Sequence, residues 1–153
     1  DILCFAKGMA NGFPIGGILT SNKISDSMTV GSHGTTFGGG PIACAIGSRV
    51  VDIISKKTFL TNVQRKEKRL VKQLKEINLS YQCFDQISSA GLWISVELAN
   101  IDVNDLIKLS HRNGLMVLKA NATTIRFSPS LIIEDLLIDK GLEIFKKSIL
   151  QLQ

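Results

Sequence analysis

The stretch Phe5-Ala6-Lys7-Gly8-Met9-Ala10-Asn11-Gly12-Phe13-Pro14-Ile15-Gly16-Gly17 decides how this chain is read. One lysine stands between a short apolar segment and a glycine-rich loop. Apolar surroundings disfavour the charged form of an amine and lower its pKa. A neutral amine can condense with an aldehyde to give a Schiff base. Ile2 to Ala6 is too short for a helix and runs into glycine, which reads as a buried strand. Ile15 to Thr20 reads as a second strand. Taken alone, Lys7 reads as a surface lysine beside a turn, and it is the later runs that change this.

The second run is Gly31-Ser32-His33-Gly34-Thr35-Thr36-Phe37-Gly38-Gly39-Gly40-Pro41. Glycines let the backbone approach a ligand closely, and hydroxyls beside backbone N–H groups suit a phosphate. Pyridoxal phosphate carries both an aldehyde and a phosphate, so one molecule would use both runs. The third run is Thr124-Ile125-Arg126-Phe127-Ser128-Pro129-Ser130-Leu131. Arg126 alternates with Ile125 and Phe127 and therefore faces away from them. A lone arginine in an apolar strand needs an anionic partner, since unpaired buried charge is costly. Its fork matches a carboxylate in two parallel hydrogen bonds.

In content and in order, these three runs resemble a class III pyridoxal-phosphate aminotransferase of fold type I, and within it most nearly the acetylornithine aminotransferase branch. The resemblance spans nearly the whole chain. It implies an α/β protein: residues 1–55 as the end of the large cofactor domain, and residues 56–153 as a linking helix and a small α+β C-terminal domain. In the family the Schiff-base lysine lies well past the middle of the chain. The sequence therefore corresponds to a C-terminal part. The first phosphate loop, the ring-stacking residue and the aspartate on the pyridine nitrogen are expected to stand outside it.

The resemblance also implies roles. Lys7 is the catalytic lysine, which holds the cofactor and moves a proton between substrate and cofactor. Thr36 reaches across a dimer interface to the phosphate of the other subunit's cofactor, with Thr35 as a second candidate. Arg126 binds the α-carboxylate of glutamate or 2-oxoglutarate. When the other substrate is bound, Arg126 pairs with a glutamate outside this sequence. The implied reaction moves the terminal amino group of an ornithine-like donor, N-acetylornithine foremost, to 2-oxoglutarate, in a cytoplasmic homodimer. Two alternatives stay open: an ornithine- or 4-aminobutyrate-type enzyme, and a truncated, non-catalytic fragment. Three positions depart from the family pattern. Gly40 stands where acetylornithine-type sequences often have Asn, Ser130 replaces a second proline, and Ser88-Ser89-Ala90-Gly91-Leu92 replaces a usual Arg-Gly-Lys-Gly-Leu.

Bulk properties narrow the alternatives. The 153 residues suffice for a core, with 44% hydrophobic and 20% charged residues. No run approaches a membrane span. The net charge of +5 is concentrated around Lys56-Lys57 and Arg65 to Lys72, which reads as a solvated helix face. No nucleic-acid-binding module accompanies it. Cys4, Cys44 and Cys83 are far apart and form no metal-ligand spacing with the two histidines. Their apolar neighbours predict three reduced core cysteines.

The remaining pattern alternates helices and strands. Pro41 suits a first helical position, ahead of an apolar stripe of Ile42, Ala45, Ile46, Val50, Ile53 and Ile54. Leu60 to Ile77 predicts a helix buried through Leu60, Val63, Leu70, Leu74 and Ile77. Leu79 to Phe84 predicts strand-like pieces, and the alternation at Leu92, Ile94, Val96 and Leu98 a half-buried strand. A helix over Val103 to Asn113 stops at Gly114. Strands fit Leu115 to Ala120 and Thr123 to Phe127. Glu134 to Leu150 predicts a closing helix with Leu136, Leu137, Leu142, Ile144 and Phe145 on its apolar side.

Overall fold

A computed structural model describes residues 1–152 as two compact units, Asp1–Leu60 and Thr61–Gln153. In the first unit, β1 (Ile2–Phe5) pairs antiparallel with β2 (Gly17–Thr20). Phe5 lies opposite Gly17, and a side chain at Gly17 would collide with the Phe5 ring. The glycine therefore lets the aromatic ring lie across the end of the ribbon. A short 3-10 turn, Lys7–Ala10, follows β1 directly, and α1 (Asn22–Ser25) is a single helical turn. α2 (Pro41–Ile54) starts on Pro41, as expected.

The stripe expected on α2 is only partly the buried one. Ala43 and Gly47 are buried, Ile46, Val50 and Ile54 are half-buried, and Ile42 and Ile53 are exposed. The 3-10 turn packs on this helix, and Gly47 lies against Met9 and Ile15. Close approach of the turn selects small residues on the contact side. Cys4 and Cys44 are exposed, which corrects the reading of three core cysteines; only Cys83 is buried. Apolar neighbours in sequence do not make a core where a two-stranded ribbon has no layer packed over it.

The second unit has a four-stranded antiparallel sheet in the order β3-β4-β6-β5, with helices covering one face. Its strands are β3 (Phe84–Ala90), β4 (Trp93–Leu98), β5 (Leu118–Lys119) and β6 (Thr124–Phe127). Its helices are α3 (Lys57–Tyr81, whose first turn belongs to the first unit), α4 (Val103–Arg112) and α5 (Asp135–Leu150). Ile94, Val96 and Leu98 of β4 and Ile125 and Phe127 of β6 point into the core. They meet Leu70, Leu74 and Ile77 of α3 and Leu142, Phe145 and Ile149 of α5. The Phe145 ring stands edge-on to Phe127 with centroids 5.0 Å apart, and stacks against Phe84 at 6.0 Å.

Three local readings are corrected here. The Leu79–Phe84 region is helix as far as Tyr81, and Gln82 ends it at φ 48°. The Asn78 side chain then clasps the backbone of Phe84, donating to its carbonyl at 2.9 Å and accepting from its N–H at 2.7 Å. Of Leu115 to Ala120, only Leu118 and Lys119 pair as strand. On α5 the buried residues are Ile138, Leu142, Phe145, Ser148 and Ile149, while Leu136 and Leu137 are exposed.

The helix α4 matches its prediction. Asp102 caps it by accepting from the N–H groups of Asn104 (2.8 Å) and Asp105 (3.0 Å). These bonds, the Asp105 N–H first, hold the Asp102 carboxyl below its ordinary range. Gly114 at φ 93° closes the other end: its N–H bonds to the His111 carbonyl, and that of Leu115 to Ser110.

Candidate active site

Lys7 follows Ala6, whose backbone is fully extended (φ −163°), and itself adopts φ 53°. A side chain with a Cβ rarely occupies this left-handed region, and strain of this kind concentrates at functional sites, at a cost of about 1–3 kcal/mol. Asn11 closes the 3-10 turn at φ 50°, its N–H bonding to the Gly8 carbonyl. The lysine is thereby lifted off the strand end, and its side chain is exposed. It is not enclosed by apolar groups of its own unit, so the apolar setting expected from the sequence is not built by these residues.

Thr35 and Thr36 lie in the same unit, in the loop before α2, and both are exposed. The loop turns at Gly31 (φ 86°) and Gly39 (φ 68°). A Cβ on Gly38 would displace the Thr35 methyl group, so the glycine admits the rotamer that Thr35 adopts here. The Gly40 N–H bonds to the Phe37 carbonyl at 3.3 Å, and the Cys44 N–H to the Gly40 carbonyl at 3.0 Å, which joins the loop to the start of α2. Among the described residues, no hydrogen bond joins Lys7 to Thr35 or Thr36. His33 and Phe37 are exposed, Phe37 at 89%.

Arg126 belongs to the second unit. It is half-buried on β6, opposite Ser95 of β4 and Leu118 of β5. Its Nε is buried and has no hydrogen-bond partner. Among the described residues no ion pair forms on it. Glu97 shares its sheet face, but its carboxylate accepts from Thr123 at 3.3 Å instead. The guanidinium lies over the indole of Trp93, with Cζ 4.5 Å from the ring centroid. An open pocket of about 300 Å³ adjoins Arg126 and is walled by Leu70, Leu115, Met116, Leu118 and Leu137. Among the described residues this cation has no counter-ion, an arrangement that can take an anion. Trp93 was missed in the sequence, where the β3–β4 run gave only the alternation of a half-buried strand.

Two other arginines of this unit, both on α3, are occupied. Arg65 pairs with Asp135 through both terminal nitrogens, at 2.6 and 2.9 Å. Arg69 pairs with Asp139, which also accepts from Gln73 at 2.6 Å. Those bonds hold the Asp139 carboxyl at about 2. No group of metal-ligating side chains occurs among the described residues, and no helix is long and apolar enough to cross a membrane.

Comparison with known proteins covers nearly the whole chain. The family model for Aminotransferase class-III matches residues 1–149. The acetylornithine aminotransferase of Pseudomonas putida is 36% identical over 152 residues, which are 97% of this chain and 37% of that protein. The acetylornithine/succinyldiaminopimelate aminotransferase of Photorhabdus laumondii is 41% identical, over 99% of this chain and 38% of its own length. Among solved structures, the N-acetylornithine aminotransferase of Stenotrophomonas maltophilia superposes with a TM-score of 0.85 at 26% identity, over 99% of this chain and 40% of that one. The ornithine aminotransferase of Toxoplasma gondii, whose structure reveals partial occupancy of PLP at its active site, gives 0.89 at 26% identity, over 99% and 37%. The chain thus spans about two fifths of the length of these relatives. With the three motif runs in family order and the match running from the first strand to the last helix, this chain belongs to the class III aminotransferases.

Proposed function

We propose that these residues are the C-terminal part of a pyridoxal-phosphate-dependent aminotransferase. The reaction moves the terminal amino group of N-acetylornithine or a close analogue to 2-oxoglutarate, in a cytoplasmic homodimer. The observation that carries this reading is Arg126, a half-buried guanidinium with an unpartnered Nε and, among the described residues, no carboxylate to neutralise it. A structural arginine brings its counter-ion, as Arg65 and Arg69 do; a receptor for a carboxylate substrate leaves the place free. The relatives' names support the acetylornithine branch.

The donor set present fits the cofactor: an exposed primary amine on a strained turn, and two exposed threonines in a glycine loop. When bound, pyridoxal phosphate supplies an aldehyde that takes the amino group and a ring that accepts the electron pair released at the reacting carbon. This chain's residues supply the rest. Lys7 holds the cofactor, and its freed amine moves the proton at the amine-bearing carbon of the substrate. The Thr36 hydroxyl, with Thr35 beside it, donates to phosphate oxygens. Arg126 takes the α-carboxylate of 2-oxoglutarate in two parallel bonds and so orients the acceptor.

The test is a transamination assay of the longest natural form of the protein, with N-acetylornithine, ornithine and 4-aminobutyrate as donors. The expected outcome is the highest kcat/KM with N-acetylornithine. Arg126→Gln is expected to lower kcat/KM for 2-oxoglutarate about 100-fold or more, since a charge-assisted pair is lost. An Arg126→Gln enzyme as active as the parent would refute the role given to Arg126. Preference for ornithine or 4-aminobutyrate would move the protein to another branch. Absence of any transamination would favour the non-catalytic reading.

A further inference from the structure

The outer face of the four-stranded sheet carries a pairing that no motif explains. Trp93 is the first residue of β4 and lies opposite Ala90, while Arg126 lies opposite Ser95. Residues two apart on a strand, and direct partners across a ladder, share a face. Trp93, Ser95, Arg126, Ser88 and Ala90 therefore stand together on the side away from the core. Trp93 is 56% exposed, unusual for the largest side chain in a sheet. Its ring lies under the Arg126 guanidinium, 4.5 Å from Cζ to centroid. The small side chains at Ser88, Ala90 and Ser95 leave room for both flat groups.

We propose that Trp93 is a positioning residue for Arg126: its indole face holds the guanidinium so that the free edge meets the substrate α-carboxylate. The inference rests on the reading of Arg126 as carboxylate receptor. One observation and three physical arguments carry it. Among the described residues no hydrogen bond or ion pair restrains the guanidinium, so the ring is the group that does. Stacking on a ring face restrains a planar guanidinium while leaving its edge N–H donors free for a bidentate partner. The indole also excludes water from one side of the cation, which strengthens its attraction for an anion. An arginine held this way has less rotamer freedom to lose on binding.

The experiment compares Trp93→Leu, Trp93→Phe and Arg126→Gln in the active form of the protein, with 2-oxoglutarate as varied substrate. A second readout uses no turnover: calorimetric titration with glutarate, a dicarboxylate that cannot accept an amino group. Trp93→Leu is expected to raise KM for 2-oxoglutarate and Kd for glutarate about 3- to 30-fold, the range of a desolvated cation–ring contact. Its kcat at saturation should change less than about twofold. Trp93→Phe keeps a ring and should recover most of the lost affinity. Trp93 is the sole tryptophan of these 153 residues, and the Trp93→Phe difference isolates its emission, which glutarate should change. Unaltered KM and Kd in Trp93→Leu, with both raised in Arg126→Gln, would overturn the role of Trp93 and leave that of Arg126 standing. Unaltered values in Arg126→Gln would overturn the carboxylate reading itself. A Trp93→Leu protein that loses kcat and melting temperature together, without a KM shift, would show a merely structural tryptophan.

Discussion

At the residue scale, the chemistry of this chain lies in side chains whose places the backbone fixes at some cost. Lys7 turns left-handed immediately after an extended residue, and a side chain at Gly38 would displace the Thr35 methyl group. The two hydroxyls give the sharper test. Thr35→Val with Thr36→Val keeps the shape of both side chains and removes their donors. Pyridoxal-phosphate affinity, measured by equilibrium dialysis, should fall about tenfold or more. Wild-type affinity in this variant would mean that the threonine hydroxyls do not hold the phosphate. Lys7, Thr35, Thr36 and Arg126 stand out in the sequence through the family that the three runs resemble, and the roles proposed for them rest on that resemblance. Trp93 does not, because its partner lies 33 residues along and is set by the β4–β6 register. The exposure of Cys4 and Cys44 was equally hidden, since the run of apolar neighbours says nothing about whether another layer covers them.

At the element scale, hydrophobic period and capping chemistry located most helices and the central strands. Pro41 opens α2, Asp102 and Gly114 bracket α4, and the alternation of Ile94, Val96 and Leu98 fills the inner face of β4. The failures share a cause: a tertiary partner overrides local pattern. Asn78 carries α3 past its expected end by clasping Phe84, and β5 is held to the two residues that β6 pairs. The join between α3 and α5 is also a tertiary matter, made by Arg65–Asp135 and Arg69–Asp139. It yields a pH prediction. Arg69 and then Gln73 hold the Asp139 carboxyl at about 2, below its ordinary 3.8, and Arg65 lowers Asp135 in the same direction. A carboxyl depressed in the folded state binds its proton more readily when unfolded, so its stabilisation is full above about pH 4–5 and lost as pH falls through about 2. Melting temperature should therefore drop between about pH 5 and pH 2, and Asp139→Asn should flatten part of that drop. An identical pH slope in the variant would place the acid sensitivity elsewhere.

At the scale of the whole molecule, a ribbon-and-loop unit carries Lys7 and the threonine loop, and a helix-covered sheet carries Arg126. The second unit has an ample core of its own in Phe145, Phe84, Phe127 and the aliphatic residues around them. The first leaves Ile2, Leu3, Ile18, Leu19 and Val30 exposed, in a chain that spans about two fifths of its relatives. Exposed apolar surface on that scale calls for a covering partner or association. The family and the α/β character were legible from three short runs, because their residues and their order resemble those of the class III aminotransferases. The apolar setting expected for Lys7 was not legible, since it depends on what covers the lysine rather than on its neighbours in sequence. The central claim is that Lys7 is the residue that carries pyridoxal phosphate. Its most direct test is reaction of the protein with one equivalent of the cofactor, borohydride reduction, and peptide mapping of the fixed label, with Lys7→Ala alongside. The account predicts a single labelled peptide bearing Lys7 and no stoichiometric label in the variant. Label scattered over surface lysines, or equal fixation in Lys7→Ala, would contradict it.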